Sequence, residues 1–267
     1  MSNFEAAGSS GETGKEPMPT MGFLDHLEEL RKRVVYSIAI VAVGFGACWG
    51  YREHIYAIMQ RPIVDALRAN GLPEKLVYLN PTEPFNLYLK IAALAGLFLT
   101  SPFVLYQVWM FISPGLYRNE KRYAIPFMVS TIALFSAGGY FGYKIAYPRA
   151  LKFLIDFSKQ FTPMITIGEY TSLFLSIVLG MGLIFELPIL VFFLSLMGIV
   201  SPSFMWKHFR YAILVIFIIA AIVTPTPDVV NMCIFAAPML ALYALSIGVS
   251  WLVHPKYRAA REEKQAQ

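Results

Sequence analysis

Charged residues are scarce in this 267-residue sequence, at 15% of the total, whereas soluble domains contain about 25%. Hydrophobic residues make up 57%, and the mean hydropathy is +0.56. A soluble domain of this length has too little interior to bury so many apolar side chains, and their abundance also excludes a disordered chain. The apolar residues form continuous runs, whereas a membrane β-barrel alternates them with polar residues. We therefore expect an all-α membrane protein with several spans.

Cysteine and histidine are also rare. The two cysteines, Cys48 and Cys233, lie inside apolar runs, which excludes a disulfide scaffold. The four histidines have no metal-ligand spacing, and no glycine-rich loop ends in Lys-Ser or Lys-Thr. No Ser-His-Asp arrangement is visible. We therefore expect no metal, no cofactor and no catalytic site.

Basic residues outnumber acidic ones, 22 to 17, and give a formal charge of +5. They occur in small groups between the apolar runs, a pattern that fits membrane topology better than nucleic-acid binding. With a cytoplasmic N-terminus, 13 of them fall on the inside and 8 on the outside. Because positive charge favours the cytoplasmic side, both termini are predicted to be cytoplasmic.

Six apolar runs predict six spans, at residues 34–50, 87–112, 124–147, 170–200, 211–223 and 229–253. The fifth run has 13 residues and would cover about 20 Å as a helix, against about 30 Å for the hydrocarbon core. Two prolines, Pro225 and Pro227, then force a turn, so the last two runs are predicted to form a tight helical hairpin.

The remaining segments divide the chain into three parts. Residues 1–20 are predicted to be a disordered cytoplasmic tail, 21–253 the six-span domain, and 254–267 a charged cytoplasmic tail. Within the outer segment 51–84, residues 54–67 have apolar side chains at helical spacing and predict an amphipathic helix on the membrane. The pairs Gly46/Gly50 and Gly138/Gly142 are predicted to be helix contacts.

One carboxylate, Glu186, lies within an apolar run, and Pro188 weakens the helix beside it. A charge at that depth is costly, so the side chain should be protonated, paired or facing a wet cavity. Two interpretations remain open. Glu186 is either a neutral group hydrogen-bonded to a neighbouring helix or a site for a polar group of a partner or substrate.

Four motifs together resemble the TatC family of the twin-arginine protein translocase, over residues 23 to 253. They are His26-Leu27-x-Glu29-Leu30-Arg31-x-Arg33, Gln107-Val108-Trp109-x-Phe111-Ile112-x-Pro114-Gly115-Leu116-Tyr117-x-x-Glu120, Phe185-Glu186-x-Pro188, and Thr224-Pro225 followed by Pro227-Asp228. Each motif alone is weak, but their order and spacing on a six-span chain are specific.

The resemblance implies a cupped bundle of six transmembrane helices, with short fifth and sixth helices, in the bacterial inner membrane. It implies a non-enzymatic receptor that binds folded proteins through twin-arginine signal peptides. The expected partners are single-span proteins like TatA and TatB, the lipid bilayer and further copies of the chain within the complex. Transport would be driven by the proton-motive force.

The family's functional positions carry over residue by residue. The resemblance assigns signal-peptide binding to Glu29 and Glu120, with Arg31 and Phe111 near them, and an intramembrane role to Glu186. Pro62 and Asp228 match family positions on the outer side. Two departures occur: Met232 stands where many members have Gln, and Thr226 lengthens the turn between the last two spans.

Two rival functions can be weighed against this one. A proton-coupled secondary transporter would use Glu186 to bind a small solute, but it predicts inverted repeats and usually more spans. A membrane-embedded enzyme would need a catalytic His, Cys or Asp pair within a span, and the sequence has none.

Overall fold

The computed structural model describes residues 23–112, 124–158, 160–161, 164–224 and 229–253, and these are predominantly helical. The helices are α1 (Phe23–Gly50), α2 (Arg52–Ala69), α3 (Glu83–Ile112), α4 (Ala124–Phe141), α5 (Tyr147–Phe157), α6 (Ile167–Ile184), α7 (Leu187–Leu196), α8 (Pro202–Lys207), α9 (Phe209–Val223) and α10 (Val229–Val253). A π-helical segment, Gly142–Ala146, joins α4 to α5. The predicted tails and the loop 113–123 lie outside the described residues.

Within the described residues, four helical stretches are long and apolar enough to cross a membrane, which makes the chain a polytopic membrane protein. They are Leu24–Gly50, Glu83–Phe111, Ile167–Leu196 and Met232–Val253. The predicted third run is helical throughout but changes to π geometry at Gly142–Ala146. The fifth run is a helix of 15 residues, about 22 Å long. The count of six spans remains a prediction.

The sixth helix is not short, and that expectation was wrong. α10 has 25 residues and passes through Pro238 without a break. A proline inside a helix removes one backbone hydrogen bond, and the apolar side chains on both sides of Pro238 continue to pack, with Phe235, Ala236 and Met239 all buried.

Two glycines allow α1 and α3 to pack closely as antiparallel neighbours. A Cβ atom on Gly96 would lie 2.7 Å from the backbone nitrogen of Phe45, and one on Gly44 would lie 2.9 Å from the carbonyl oxygen of Gly96. The predicted pair Gly46/Gly50 has open space beside it. These two glycines therefore face away from the helix contact.

The other predicted glycine pair is a helix contact. A Cβ atom on Gly138 would lie 2.8 Å from Cβ of Phe185, and one on Gly142 would lie 3.0 Å from Cα of Val178. α4 and the π segment therefore pack against α6. Beside this contact, Tyr147, Tyr170 and Ile177 are among the largest fully buried side chains of the main core.

The predicted amphipathic helix exists as α2, but its apolar side faces the protein. Met59, Ile63 and Leu67 are buried in the main core, where α2 packs on α3 and α5. The expected placement of this side on the membrane is therefore incorrect. Packing against α3 and α5 removes the same apolar area from water, and it does so inside the protein.

The connection after α2 is held by polar contacts. Arg68 donates two hydrogen bonds to the carboxylate of Glu74, at 2.8 and 3.0 Å. The hydrogen bond from Arg68 lowers the pKa of Glu74 below its usual range. Further along, Val77 forms a parallel bridge with Thr166, which ties this connection to the start of α6.

Candidate functional site

Of the seven residues that the resemblance singles out, the structure describes five, and these lie in three places. Glu29, Arg31 and Phe111 lie at the end of the α1–α3 pair where α1 begins and α3 ends. Pro62 lies within α2, and Glu186 lies between α6 and α7. Glu120 and Asp228 are outside the described residues.

The antiparallel packing of α1 and α3 brings the first of these groups together. The ring of His26 stacks on Phe111, with centroids 4.4 Å apart and planes 12° from parallel. At the opposite end of the pair, Trp49 contacts Phe85 edge-on at 6.0 Å. The ring contacts at the two ends of the pair and the close approach of Gly44 and Gly96 between them fix the register of α1 against α3. In this register, Phe111 reaches the first turn of α1.

A charged cluster lies one turn further along α1. Arg33 donates to Oε1 of Glu29 at 3.2 Å and to the side-chain oxygen of Gln107 on α3 at 3.0 Å. The side chains of Arg33 and Glu29 are only 23% and 17% exposed. The second carboxylate oxygen, Oε2 of Glu29, is buried and has no hydrogen-bond partner among the described residues.

The basic residue that contacts Glu29 is Arg33. Arg31 lies on the exposed side of α1, whereas Arg33 contacts Glu29. The sequence carried the signal, because Glu29 and Arg33 are four residues apart and such pairs meet on a helix. The parts played by His26 and Gln107 need the register of α1 against α3, which the sequence alone does not provide.

A cavity of about 380 Å³ opens beside this cluster. Its lining consists of Asp25, Glu28, Glu29, Lys32, Arg33 and Tyr36. Three carboxylates and two cations therefore line this cavity. On its outer side Lys32 and Glu28 form an exposed pair at 2.8 Å. The arrangement can accept a cationic group, and hydrogen-bond donors in particular.

Glu186 lies at the break between α6 and α7. The backbone N–H of Glu186 donates to the carbonyl of Leu183 at 3.1 Å, three residues back, so the α-helical pattern tightens there. Pro188 has no N–H to offer the carbonyl of Ile184. The predicted weakening of the helix beside Pro188 is therefore confirmed. Oε1 of Glu186 is buried, with no hydrogen-bond partner in the described parts of the chain.

Pro62 sits in the middle of α2 and has a direct structural consequence. Because proline has no N–H, the carbonyl of Ile58 lacks its usual donor four residues later. The hydroxyl of Tyr143, from the π segment, donates to this carbonyl at 2.8 Å. On the next residue, the hydroxyl of Tyr170 donates to the carbonyl of Met59 at 2.6 Å. These two hydrogen bonds join α2 to the π segment and to α6.

Known proteins match this sequence over most of its length. The model of the TatC family, described as Sec-independent protein translocase protein, matches residues 25–238. The TatC protein of Koribacter versatilis is 64% identical over 251 residues, covering 94% of this chain and 93% of that protein. The TatC protein of Carboxydothermus hydrogenoformans is 38% identical over 237 residues, covering 88% and 95%.

The solved structures agree with the sequence matches. A crystal structure of the twin-arginine translocase receptor TatC superimposes with a TM-score of 0.74 at 36% identity, covering 85% of this chain and 99% of that one. A second crystal structure of that receptor, in the detergent DDM, gives a TM-score of 0.75 at the same identity.

Proposed function

The chain belongs to the TatC family of Sec-independent protein translocase proteins, and on this premise we propose how it acts as a twin-arginine translocase receptor. It binds the signal peptides of folded proteins at the end of the α1–α3 pair. The observation that carries this proposal is the buried oxygen Oε2 of Glu29, which has no hydrogen-bond partner among the described residues and lies beside a cavity lined by three carboxylates and two cations. A buried acceptor without a donor is costly, and an arginine side chain brings donors and the opposite charge.

Arginine suits this site better than lysine. Its guanidinium is planar, carries five N–H donors and is weakly hydrated, whereas the lysine ammonium is a strongly hydrated point charge. Arg33 holds Oε1 of Glu29, and Oε2 has no hydrogen-bond partner among the residues that the structure describes. Glu120 is proposed to bind the second arginine of the signal. Phe111, with its ring stacked on His26, and the exposed Arg31 are proposed to contact the rest of the peptide.

The partners are proposed to be single-span proteins like TatA and TatB, recruited after the signal is bound. Glu186, with its buried oxygen at a helix break, is proposed to accept a hydrogen bond from a partner helix. Asp228 is proposed to act on the outer side, and the chain to assemble with further copies of itself. The chain is proposed to have no enzymatic activity of its own. The proton-motive force is proposed to drive transport.

The membrane is proposed to be the bacterial inner membrane, with both termini in the cytoplasm. α9 has 15 residues and is about 8 Å shorter than the hydrocarbon core of about 30 Å. A bilayer adapts to a short span by thinning beside it. Thinning next to α9 would lower the barrier to a large folded cargo.

A binding titration tests the receptor function. Full-length protein in lipid nanodiscs is titrated with a signal peptide carrying Arg-Arg and with its Lys-Lys variant. The wild type should bind the Arg-Arg peptide more tightly. Glu120→Ala and Glu29→Ala should each weaken Arg-Arg binding by about 1–3 kcal/mol, the cost of leaving a buried donor without its acceptor. Equal affinity of the wild type for the two peptides would contradict the proposal.

A further inference from the structure

Arg33 makes contacts that a solvated surface residue would not make. Its guanidinium donates to Glu29 on its own helix and to Gln107 on α3, so it bridges two helices. It uses separate nitrogens for the two bonds, Nη2 for Glu29 and Nη1 for Gln107. A forked donor can make both bonds at once, whereas the single ammonium group of lysine has no fixed fork.

The bridge decides how Glu29 meets a ligand. A free carboxylate takes a guanidinium through both oxygens, but Oε1 of Glu29 is already occupied by Arg33. Only Oε2 remains, and it is buried without a partner among the described residues. A signal arginine would therefore bind Glu29 through one oxygen, unless it displaced Arg33.

Displacement of Arg33 is costly for two reasons. Glu29 and Arg33 are four residues apart on one helix, so they meet without any loss of translational freedom. The pair is also shielded, at 17% and 23% exposure, so solvent screens it less than an exposed pair. Removing one partner of a shielded ion pair leaves the other charge uncompensated.

We propose that Arg33 is a positioning residue of the signal-peptide site, which holds Oε1 of Glu29 and joins α1 to α3 through Gln107 so that Oε2 is reserved for a signal arginine. This inference rests on the proposed receptor function. Without Arg33, Glu29 would be a mobile carboxylate, and a signal arginine would have to fix its orientation on binding, at a cost in side-chain entropy. The directional advantage of the arginine fork over the lysine point charge is smaller on a mobile carboxylate, so Arg33 contributes to the discrimination between them.

The chain contains a matched control on the same helix. Glu28 and Lys32 also form an ion pair four residues apart, at 2.8 Å, but their side chains are 63% and 62% exposed. The contacts described for Lys32 include none with α3. Lys32→Gln therefore removes one positive charge and one helical ion pair beside the same cavity, but leaves the bridge between the helices intact.

The first experiment is a titration of Arg33→Gln, Arg33→Lys, Gln107→Ala and Lys32→Gln, in nanodiscs, with the Arg-Arg and Lys-Lys peptides. Arg33→Gln should weaken Arg-Arg binding by about 10-fold or more and reduce the Arg-Arg to Lys-Lys affinity ratio. Arg33→Lys and Gln107→Ala should each give part of this loss. The double variant Arg33→Gln/Gln107→Ala should be no worse than Arg33→Gln, because both remove one bridge. Lys32→Gln removes a charge from the cavity lining and should shift the affinities for the two peptides by a similar factor, so their ratio should stay within about 2-fold of the wild type.

Several outcomes would overturn the inference. Tighter Arg-Arg binding by Arg33→Gln would show that Arg33 competes with the signal. An unchanged ratio of Arg-Arg to Lys-Lys affinity in Arg33→Gln would show that the guanidinium of Arg33 does not position Glu29. Wild-type affinity of Arg33→Lys for the Arg-Arg peptide would show the same. If the wild type itself prefers neither peptide, the receptor proposal fails, and that failure is distinct from these.

A second measurement needs no peptide. Amide hydrogen exchange of residues 23–33 reports how firmly the start of α1 is held. Arg33→Gln and Gln107→Ala should each speed exchange there, and Lys32→Gln should not. Unchanged exchange in both bridge variants would overturn the tether between α1 and α3, whatever the peptides do. Thermal unfolding of each variant shows whether a loss of binding comes from a loss of fold.

Discussion

At the residue scale, side chains provide hydrogen bonds to polar groups that lack a partner in the backbone of their own helix. Pro62 removes a helical donor, and the hydroxyl of Tyr143 replaces it on the carbonyl of Ile58. Glu29 is half satisfied, by Arg33. Pro62, whose outer-side position the resemblance singled out, thus has a physical explanation: it frees an acceptor that fastens α2 to the bundle.

The link between Pro62 and Tyr143 predicts a coupled pair of substitutions. Tyr143→Phe should lower the free energy of unfolding by about 1 kcal/mol, the net value of one hydrogen bond. In a Pro62→Ala background the restored N–H can bond Ile58, so Tyr143→Phe should cost much less. Thermal unfolding of the four proteins in detergent measures the coupling. An equal loss of stability from Tyr143→Phe in both backgrounds would show that Tyr143 and Pro62 are not coupled.

Glu186 predicts a difference between two substitutions. Gln keeps a polar group of similar shape and should retain much of the transport, whereas Leu removes the acceptor for a partner helix. Glu186→Leu should therefore reduce co-purification with TatA- and TatB-like proteins and leave signal-peptide binding unchanged. Transport assays and pull-downs of both variants test this. Equal loss in the Gln and Leu variants would favour a structural or proton-carrying role.

At the element scale, apolar runs predicted where helices occur but not which faces meet. The runs in α1 and α3 are apolar on most sides, so hydrophobicity does not distinguish Gly44 from Gly46. In a membrane, helices associate through close packing of small residues, and which small residue lies at the contact depends on the register of two helices. The same limit applies to α2. The sequence shows that one side of this helix is apolar, but not that α3 and α5 cover that side.

The contact between α1 and α3 predicts opposite effects for two glycines. In Gly96→Ala the new Cβ would meet backbone atoms of Gly44 and Phe45 at 2.7 to 2.9 Å. Backbone cannot move aside as a side chain can, so this change should destabilise the fold by about 1–3 kcal/mol. Gly46→Ala meets open space and should be neutral or stabilising by up to about 1 kcal/mol.

The midpoint of thermal unfolding in detergent compares the two glycine variants directly. It should fall for Gly96→Ala and stay or rise for Gly46→Ala. Because the stack of His26 on Phe111 depends on the same register, Gly96→Ala should also weaken signal-peptide binding. Equal stability of the two variants would mean that the close approach at Gly96 does not hold the helices together.

At the scale of the whole molecule, composition alone predicted the class of protein, because a chain with 15% charged residues has few other ways to fold. The four motifs predicted the family, and the family match over residues 25–238 confirms it. They did not predict the bridge through Arg33, since ion pairs four residues apart are most often solvated. The resemblance implied a short sixth helix, whereas α10 covers the whole apolar run 229–253.

The orientation of the molecule is the remaining prediction, and it follows from charge. Single cysteines are placed at Arg118 and Lys207 for the cytoplasmic side and at Asn70 for the outer side, in a chain with Cys48 and Cys233 replaced by alanine. Lys207 and Asn70 are exposed, so accessibility reports the side of the membrane. In intact cells an impermeant maleimide should label only Asn70→Cys, and after lysis it should label all three. Labelling of Arg118→Cys in intact cells would show that the chain has the opposite orientation. Glu29 would then lie on the outer side of the membrane, away from the signal peptides in the cytoplasm.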